Sequence, residues 1–121
     1  MSTHIHWLAD PEPHDYVAAT SYLALIYPPE TVAGLVQRLQ TADAAQFQAK
    51  DIFRASGLSL LGVSNSHVEK DHRKILAGTP LSPLLLVRDP GNGKVIVADG
   101  YHRLCSVYGF DEGALVPCRI V

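Results

Sequence analysis

The sequence is poor in cysteine, and its two thiols, Cys105 and Cys118, form neither a C-x-x-C pair nor the Cys/His spacing of a zinc site. A disulfide framework and a structural metal are therefore excluded, and reduced thiols are expected. No apolar run approaches the ~18 residues that a bilayer span requires, and residues 1–10 lack a basic stretch followed by an apolar one. Neither a membrane helix nor a leader is expected, which points to a cytoplasmic protein without membrane partners. Charge is scarce as well. Charged residues make up 18% of the chain, with 10 Lys plus Arg against 12 Asp plus Glu, so the broad basic surface of non-specific nucleic-acid binders is missing. The acidic balance disfavours nucleic acid as a partner and leaves room only for a local contact. Internal repeats and low-complexity segments are absent too.

What the sequence does have is enough apolar material for a core. Hydrophobic residues are 47% of 121, a length suited to one domain. Residues 1–14 carry His4, His6 and His14 among prolines and acids and read as a solvated N-terminal tail. Asp15 can cap a first helix running to about Tyr27, with Val17, Leu23 and Ile26 among its apolar positions, before Pro28 and Pro29 stop it. A second helix follows, in which Val32, Leu35, Val36 and Leu39 fall at i, i+3, i+4 and i+7. The segment Phe47 to Ala55 fits a helical face and, in part, a strand; periodicity leaves both open. Ser66 and Glu69 have the spacing of a capping box ahead of the stripe Val68, His72, Ile75 and Leu76, and Gly78 closes that helix. On this stripe His72 reads as a packed core histidine.

Pro83 to Val87 is a continuous apolar run with the length of a strand buried on both faces. The turn Asp89 to Gly93 returns it through a hairpin into Lys94 to Ala98. A helix from His102 to Tyr108 with Gly109 at its end, and a last strand from Leu115 to Val121 that Pro117 places at or near a sheet edge, complete the chain. The expected architecture is α/β (α+β), a small mixed sheet of about four strands packed by helices. It divides into the tail 1–14 and one domain 15–121, made of a helical extension 15–41 and a core 47–121. The extension can cover the sheet, form a homodimer surface or build a lid.

The chemistry concentrates where the strand Val95 to Ala98 runs through Asp99 and Gly100 into the helix beginning at Tyr101 and His102. Such a junction aims free backbone N–H groups and the positive end of a helix dipole at one spot, which suits an anion. Asp99 can cap the helix or hold a cation, Gly100 lets a ligand approach the backbone, His102 can exchange a proton and Arg103 can fork onto phosphate oxygens. A purely structural use of the same turn, with His102 and Arg103 solvated, stays open beside it.

The succession of Pro83 to Val87, a hairpin, Ile96 to Arg103 with its Gly100-Tyr101-His102-Arg103 turn, a helix and Val116 to Ile120 resembles the core of the ParB/sulfiredoxin superfamily over residues 47–121. The resemblance implies a phosphate- or nucleotide-binding pocket with Gly100, His102 and Arg103 at the turn and the helix after Ser66 as a wall. Sulfiredoxin-type members have a reactive cysteine directly before the His-Arg pair; here Tyr101 stands there, so sulfinic acid reduction is not expected, and Cys105 reads as a packed thiol. Partition-type ParB proteins resemble the chain only in their nucleotide-binding half, and no DNA-reading or dimerisation segment follows Val121. Other members act as nucleases or as kinases of small hydroxylic substrates, and either role needs an acid or base beside the phosphate.

The expected function is thus nucleotide or phosphate binding, with phosphoryl-transfer or phosphodiester chemistry open to it. Asp99 and His102 are the candidates for catalysis, and Gly100, Tyr101, His102, Arg103, Lys50, Arg54, Asn65 and His67 for binding. The expected ligands are ATP, ADP or CTP, with Mg²⁺ as their companion, and no metal held by the chain itself. A non-catalytic protein-interaction module on the same fold is the alternative.

Overall fold

The computed structural model describes residues 4–121. Among these residues it has five α-helices and a four-stranded mixed sheet, an α+β fold. The helices are α1 (Pro13–Leu23), α2 (Pro29–Thr41), α3 (Ala49–Ser56), α4 (Ser66–Leu76) and α5 (Tyr101–Phe110). The strands are β1 (Ala45–Gln48), β2 (Leu84–Asp89), β3 (Lys94–Asp99) and β4 (Leu115–Ile120), in the spatial order β1-β4-β2-β3. β2 pairs antiparallel with β3 and parallel with β4, and β4 pairs antiparallel with β1.

β2 explains why helices lie on both faces. Leu84, Leu85, Leu86 and Val87 are all buried, so neither side of the strand tolerates water. Full burial of each such side chain contributes roughly 1.5–3 kcal/mol. Strand alternation sends Leu84 and Leu86 into a core with residues of α3, α4 and α5, and Leu85 and Val87 into a second core with α1 and α2. The N-terminal helices therefore cover the sheet. Within them Val32, Leu35 and Leu39 of α2 are buried as its stripe requires. α1 differs: Ala19 and Leu23 are the buried positions, while Val17 and Ile26 are exposed and the helix stops at Leu23 rather than Tyr27.

α1 begins at Pro13 with Glu12 as N-cap, and Asp15 is its third residue; the Asp15 carboxylate accepts from the Glu12 N–H at 2.8 Å. Residues 4–12 are not a free tail. Trp7 bridges Leu81 in parallel, the Leu8 N–H donates to the Leu81 carbonyl, and Ile5 and Trp7 pack against the core, although His4, His6 and His14 do stay exposed. Residues 1–3 of the expected tail lie outside the described residues. Asn65, not Ser66, caps α4, accepting from the N–H groups of His67 and Val68 at 3.0 and 3.3 Å. The segment from Phe47 splits: β1 ends at Gln48 and residues 49–56 are helical, so Lys50 and Asp51 do not alternate as on a strand.

At the end of α4 a Schellman pair closes the helix as expected at Gly78, whose N–H donates to Ile75 while Thr79 donates to Lys74. The buried positions of α4 are Val68, Asp71 and Ile75; Leu76 is exposed, and half-buried His72 stacks on Phe110 with ring centroids 4.4 Å apart. α5 runs through Gly109 to Phe110. β4 takes the near-edge position that Pro117 allows, one strand in from the edge strand β1.

Both cysteines are buried, and burial raises the pKa of each thiol, that of Cys118 to about 11. Protonated thiols are poor nucleophiles. Labelling of the native protein with a maleimide at pH 7 is expected to be slow at both positions and to become fast in urea; rapid native labelling of Cys105 would mean that α5 does not hold its thiol as described.

Candidate functional site

The β2–β3 ladder slips between Leu85 and Leu86, so that Leu86 faces Val97 and Leu85 faces Asp99. This irregularity lies directly before the turn and re-aims the end of β3, as bulges beside sites commonly do. Gly100 then adopts φ +107 and caps α5 without any side-chain capping bond. The first intrahelical bond is from the Leu104 N–H to the Gly100 carbonyl, leaving the N–H groups of Tyr101, His102 and Arg103 unused by the helix.

The same three residues line a cleft of about 200 Å³ between α4 and the start of α5. His67, Lys70, Asp71 and Lys74 line it from α4, where they stand at i, i+3, i+4 and i+7 and so share one helical face. Asp99, Gly100, Tyr101, His102 and Arg103 line it from the other side. The His67 and His102 rings lie 4.8 Å apart at 36°. Burial lowers the pKa of His102, and His67 and Arg103 lower it further against the opposing effect of Asp71, which favours the neutral ring. Asp71 moves the other way: burial raises its pKa, with Lys74 as the main opposing charge.

Arg103 is largely committed to the protein itself. Its Nε donates to the Ser82 carbonyl at 3.0 Å, and its Nη2 donates to Asp99 Oδ2 at 2.8 Å and to the Pro83 carbonyl at 3.4 Å. Its Nη1 lies 4.0 Å from Asp15 Oδ1. Ser82 in turn donates through Oγ to Glu12 Oε1 at 3.0 Å, which ties the start of α1 to the same knot. Burial raises the pKa of Asp99 and neighbouring Asp15 adds to this, while Arg103 works against both. The expected fork onto phosphate therefore competes with an internal use, and Asp99 serves chiefly as the counter-ion that holds Arg103. Tyr101 is also engaged: its hydroxyl donates to the Ser59 carbonyl and pins the loop before α4.

Of the residues expected at a site, Asp99, Gly100, Tyr101, His102, Arg103 and His67 meet in the cleft. Asn65 does not line it; its side chain is spent on the cap of α4. Lys50 and Arg54 do not line the cleft; they are exposed on α3, where Arg54 pairs with Asp51 at 3.3 Å. The residues that sequence reasoning missed are Lys70, Asp71 and Lys74. The signal for them was the polar face of α4, which repeats at helical period as clearly as its apolar stripe.

Among the described residues no group of three or more His, Cys, Asp or Glu converges on a point where it could hold a metal ion. The cleft does not fit a resident Mg²⁺, since Lys70, Lys74 and Arg103 would face the cation and Asp99 is already paired. Mg²⁺ would enter such a site only with the phosphates that carry it. Nor is any helix long and apolar enough to cross a membrane among the described residues. A scan against protein-family models and searches of curated proteins and of solved structures found no match for this chain.

Proposed function

We propose that the cleft between α4 and α5 binds the phosphate group of a small molecule, with a nucleotide (ATP, ADP or CTP) as the first candidate, on a ParB/sulfiredoxin-like frame. One observation carries this reading: Lys70 and Lys74 face the uncapped first turn of α5 across a cleft large enough for a phosphate group. Phosphate oxygens would accept from the backbone N–H groups of Tyr101 to Arg103 and from the two ammonium groups. Charge-assisted bonds of this kind contribute roughly 1.5–3 kcal/mol each. His102 lines the same cleft, and burial lowers its pKa, which favours the neutral ring that a general base needs in phosphoryl transfer or phosphodiester cleavage. Asp99 and Arg103 hold the turn in shape around it.

Titration calorimetry with ATP, ADP, CTP and inorganic phosphate tests the reading. A Lys70→Ala/Lys74→Ala double variant is expected to bind at least about tenfold more weakly, equivalent to 1.4 kcal/mol. Lys50→Ala/Arg54→Ala, on the remote face of α3, is expected to bind as wild type does. If wild type binds none of the four, or the Lys70/Lys74 double variant binds all of them unchanged, the phosphate reading fails.

An interaction module is the second reading. Val17 and Tyr22 on α1, with Leu25 and Ile26 just after it, are exposed apolar side chains close together in sequence, and such patches attract protein partners. It takes first place if no phosphate compound binds.

A further inference from the structure

A second cavity, of about 380 Å³, lies at the other end of β3, against Lys94 and Val95, and shares no residue with the phosphate cleft. Sheet residues Leu86, Val95 and Ile120 and the α3 residues Ile52 and Ala55 form its interior, with Phe47 of β1 at the side. These side chains offer no donor or acceptor, so nothing inside recognises a base, a sugar or a peptide bond. The volume falls within the roughly 300–1,000 Å³ of small-molecule pockets.

The rim is polar and asymmetric. Arg88 of β2 and Lys94 of β3 lie on it, as does Asp51 of α3. Asp51 is engaged by Arg54 at 3.3 Å, whereas neither Arg88 nor Lys94 is ion-paired among the described residues. The Lys94 ammonium reaches toward Gly57, at 3.7 Å from where a Cβ there would stand, so it spans from β3 to the C-terminal end of α3. An apolar interior with two cations at its mouth that have no ion-pair partner among the described residues complements one kind of molecule: an apolar body ending in an anion. Arg88 adds a preference for a planar carboxylate, which a guanidinium binds through two parallel bonds.

We propose that this cavity binds an amphipathic monocarboxylate, such as a medium-chain or aryl-substituted acid. The apolar body lies against Leu86, Val95 and Ile120, and the carboxylate meets Arg88 and Lys94. Titration calorimetry of the full chain with decanoate and with decanol, below the concentration at which decanoate aggregates, tests this. Decanoate is expected to bind wild type at least tenfold more tightly than decanol does. Arg88→Glu, at an exposed position, is expected to weaken decanoate at least tenfold and to leave decanol unchanged. Ala55→Phe, which fills the cavity, is expected to abolish both. The Lys70→Ala/Lys74→Ala variant should bind decanoate as wild type does, which separates this site from the phosphate cleft. The proposal is overturned if wild type does not bind decanoate, if decanol binds equally well, or if Arg88→Glu has no effect. It is also overturned if sedimentation finds a dimer that Ala55→Phe converts to monomer, because a second copy would then be the occupant.

Discussion

Arg103→Met is expected to lower the stability of the fold by roughly 3–5 kcal/mol, the cost of breaking a buried ion pair by removing one partner. The substitution keeps most of the aliphatic volume and removes only the fork. Asp99, with its carboxylate 2.8 Å from Nη2, would lose the one charge that opposes its burial, and the Ser82 and Pro83 carbonyls would lose their side-chain donors. Asp15 would lose a nearby cation as well. The lower end of the range is the better expectation, because the Arg103 and Asp99 side chains keep 17% and 14% of their exposure. Arg103→Lys should recover only part of the loss, since an ammonium cannot serve Ser82, Pro83 and Asp99 in one plane. Urea unfolding of both variants and of Asp99→Asn/Arg103→Met measures this. The double change should cost less than the two single changes together, because it no longer strands a buried carboxylate. A loss for Arg103→Met below about 1 kcal/mol, the worth of a surface pair, would mean that the knot does not hold the turn.

That knot also marks where the sequence stops being legible. The α2 stripe, the β2–β3 hairpin and the strand-to-helix turn at Gly100 are local patterns, readable because period and turn residues act within a few positions. The contest between Asn65 and Ser66 is local too. Both are good caps, and the outcome turns on which one adopts extended backbone, as Asn65 does at φ −78 and ψ 128. Asp15 was harder. Its place at the third position of α1 depends on Glu12, and Glu12 is held by Ser82, 70 residues away. The internal role of Arg103 is hidden from the sequence, because its partners Ser82 and Pro83 are brought to it by a strand start some 20 residues away. Lys50 and Arg54 lie away from the cleft on a helix over residues 49–56, a conformation that their short apolar pattern leaves undecided. Lys70 and Lys74 are legible in the sequence, on the face of α4 that flanks its buried stripe and shares Asp71 with it.

Gly100→Val is expected to be more damaging still, and to leave little folded protein at 37 °C. Two independent costs meet at this position. The first is backbone: Gly100 sits at φ +107, where a side chain collides with its own peptide units, at roughly 1–2 kcal/mol for an ordinary residue and more for a branched one. The second is space. A Cβ there would stand 2.7 Å from Leu84 Cγ and 3.1 Å from Leu84 Cδ1, and Leu84 is fully buried in a central strand with no room to withdraw. Overpacking of this kind costs roughly 1–3 kcal/mol. The same Cβ would stand 3.0 Å from Arg103 Nη2 and press on the knot that holds Asp99. Gly100→Ala carries both costs without the branch, and is expected to fold with a stability loss of about 2–5 kcal/mol, the two ranges taken together. Gly34→Ala is the contrast. Gly34 lies inside α2 with negative φ and nothing within 4 Å of a Cβ, so alanine there should stabilise the fold by roughly 0.5–1 kcal/mol. Thermal and urea unfolding of the three variants decide the point: if Gly100→Ala were as stable as wild type, the turn would not have the left-handed conformation from which the backbone donors of α5 face the cleft, and the phosphate reading would lose its geometric basis with it.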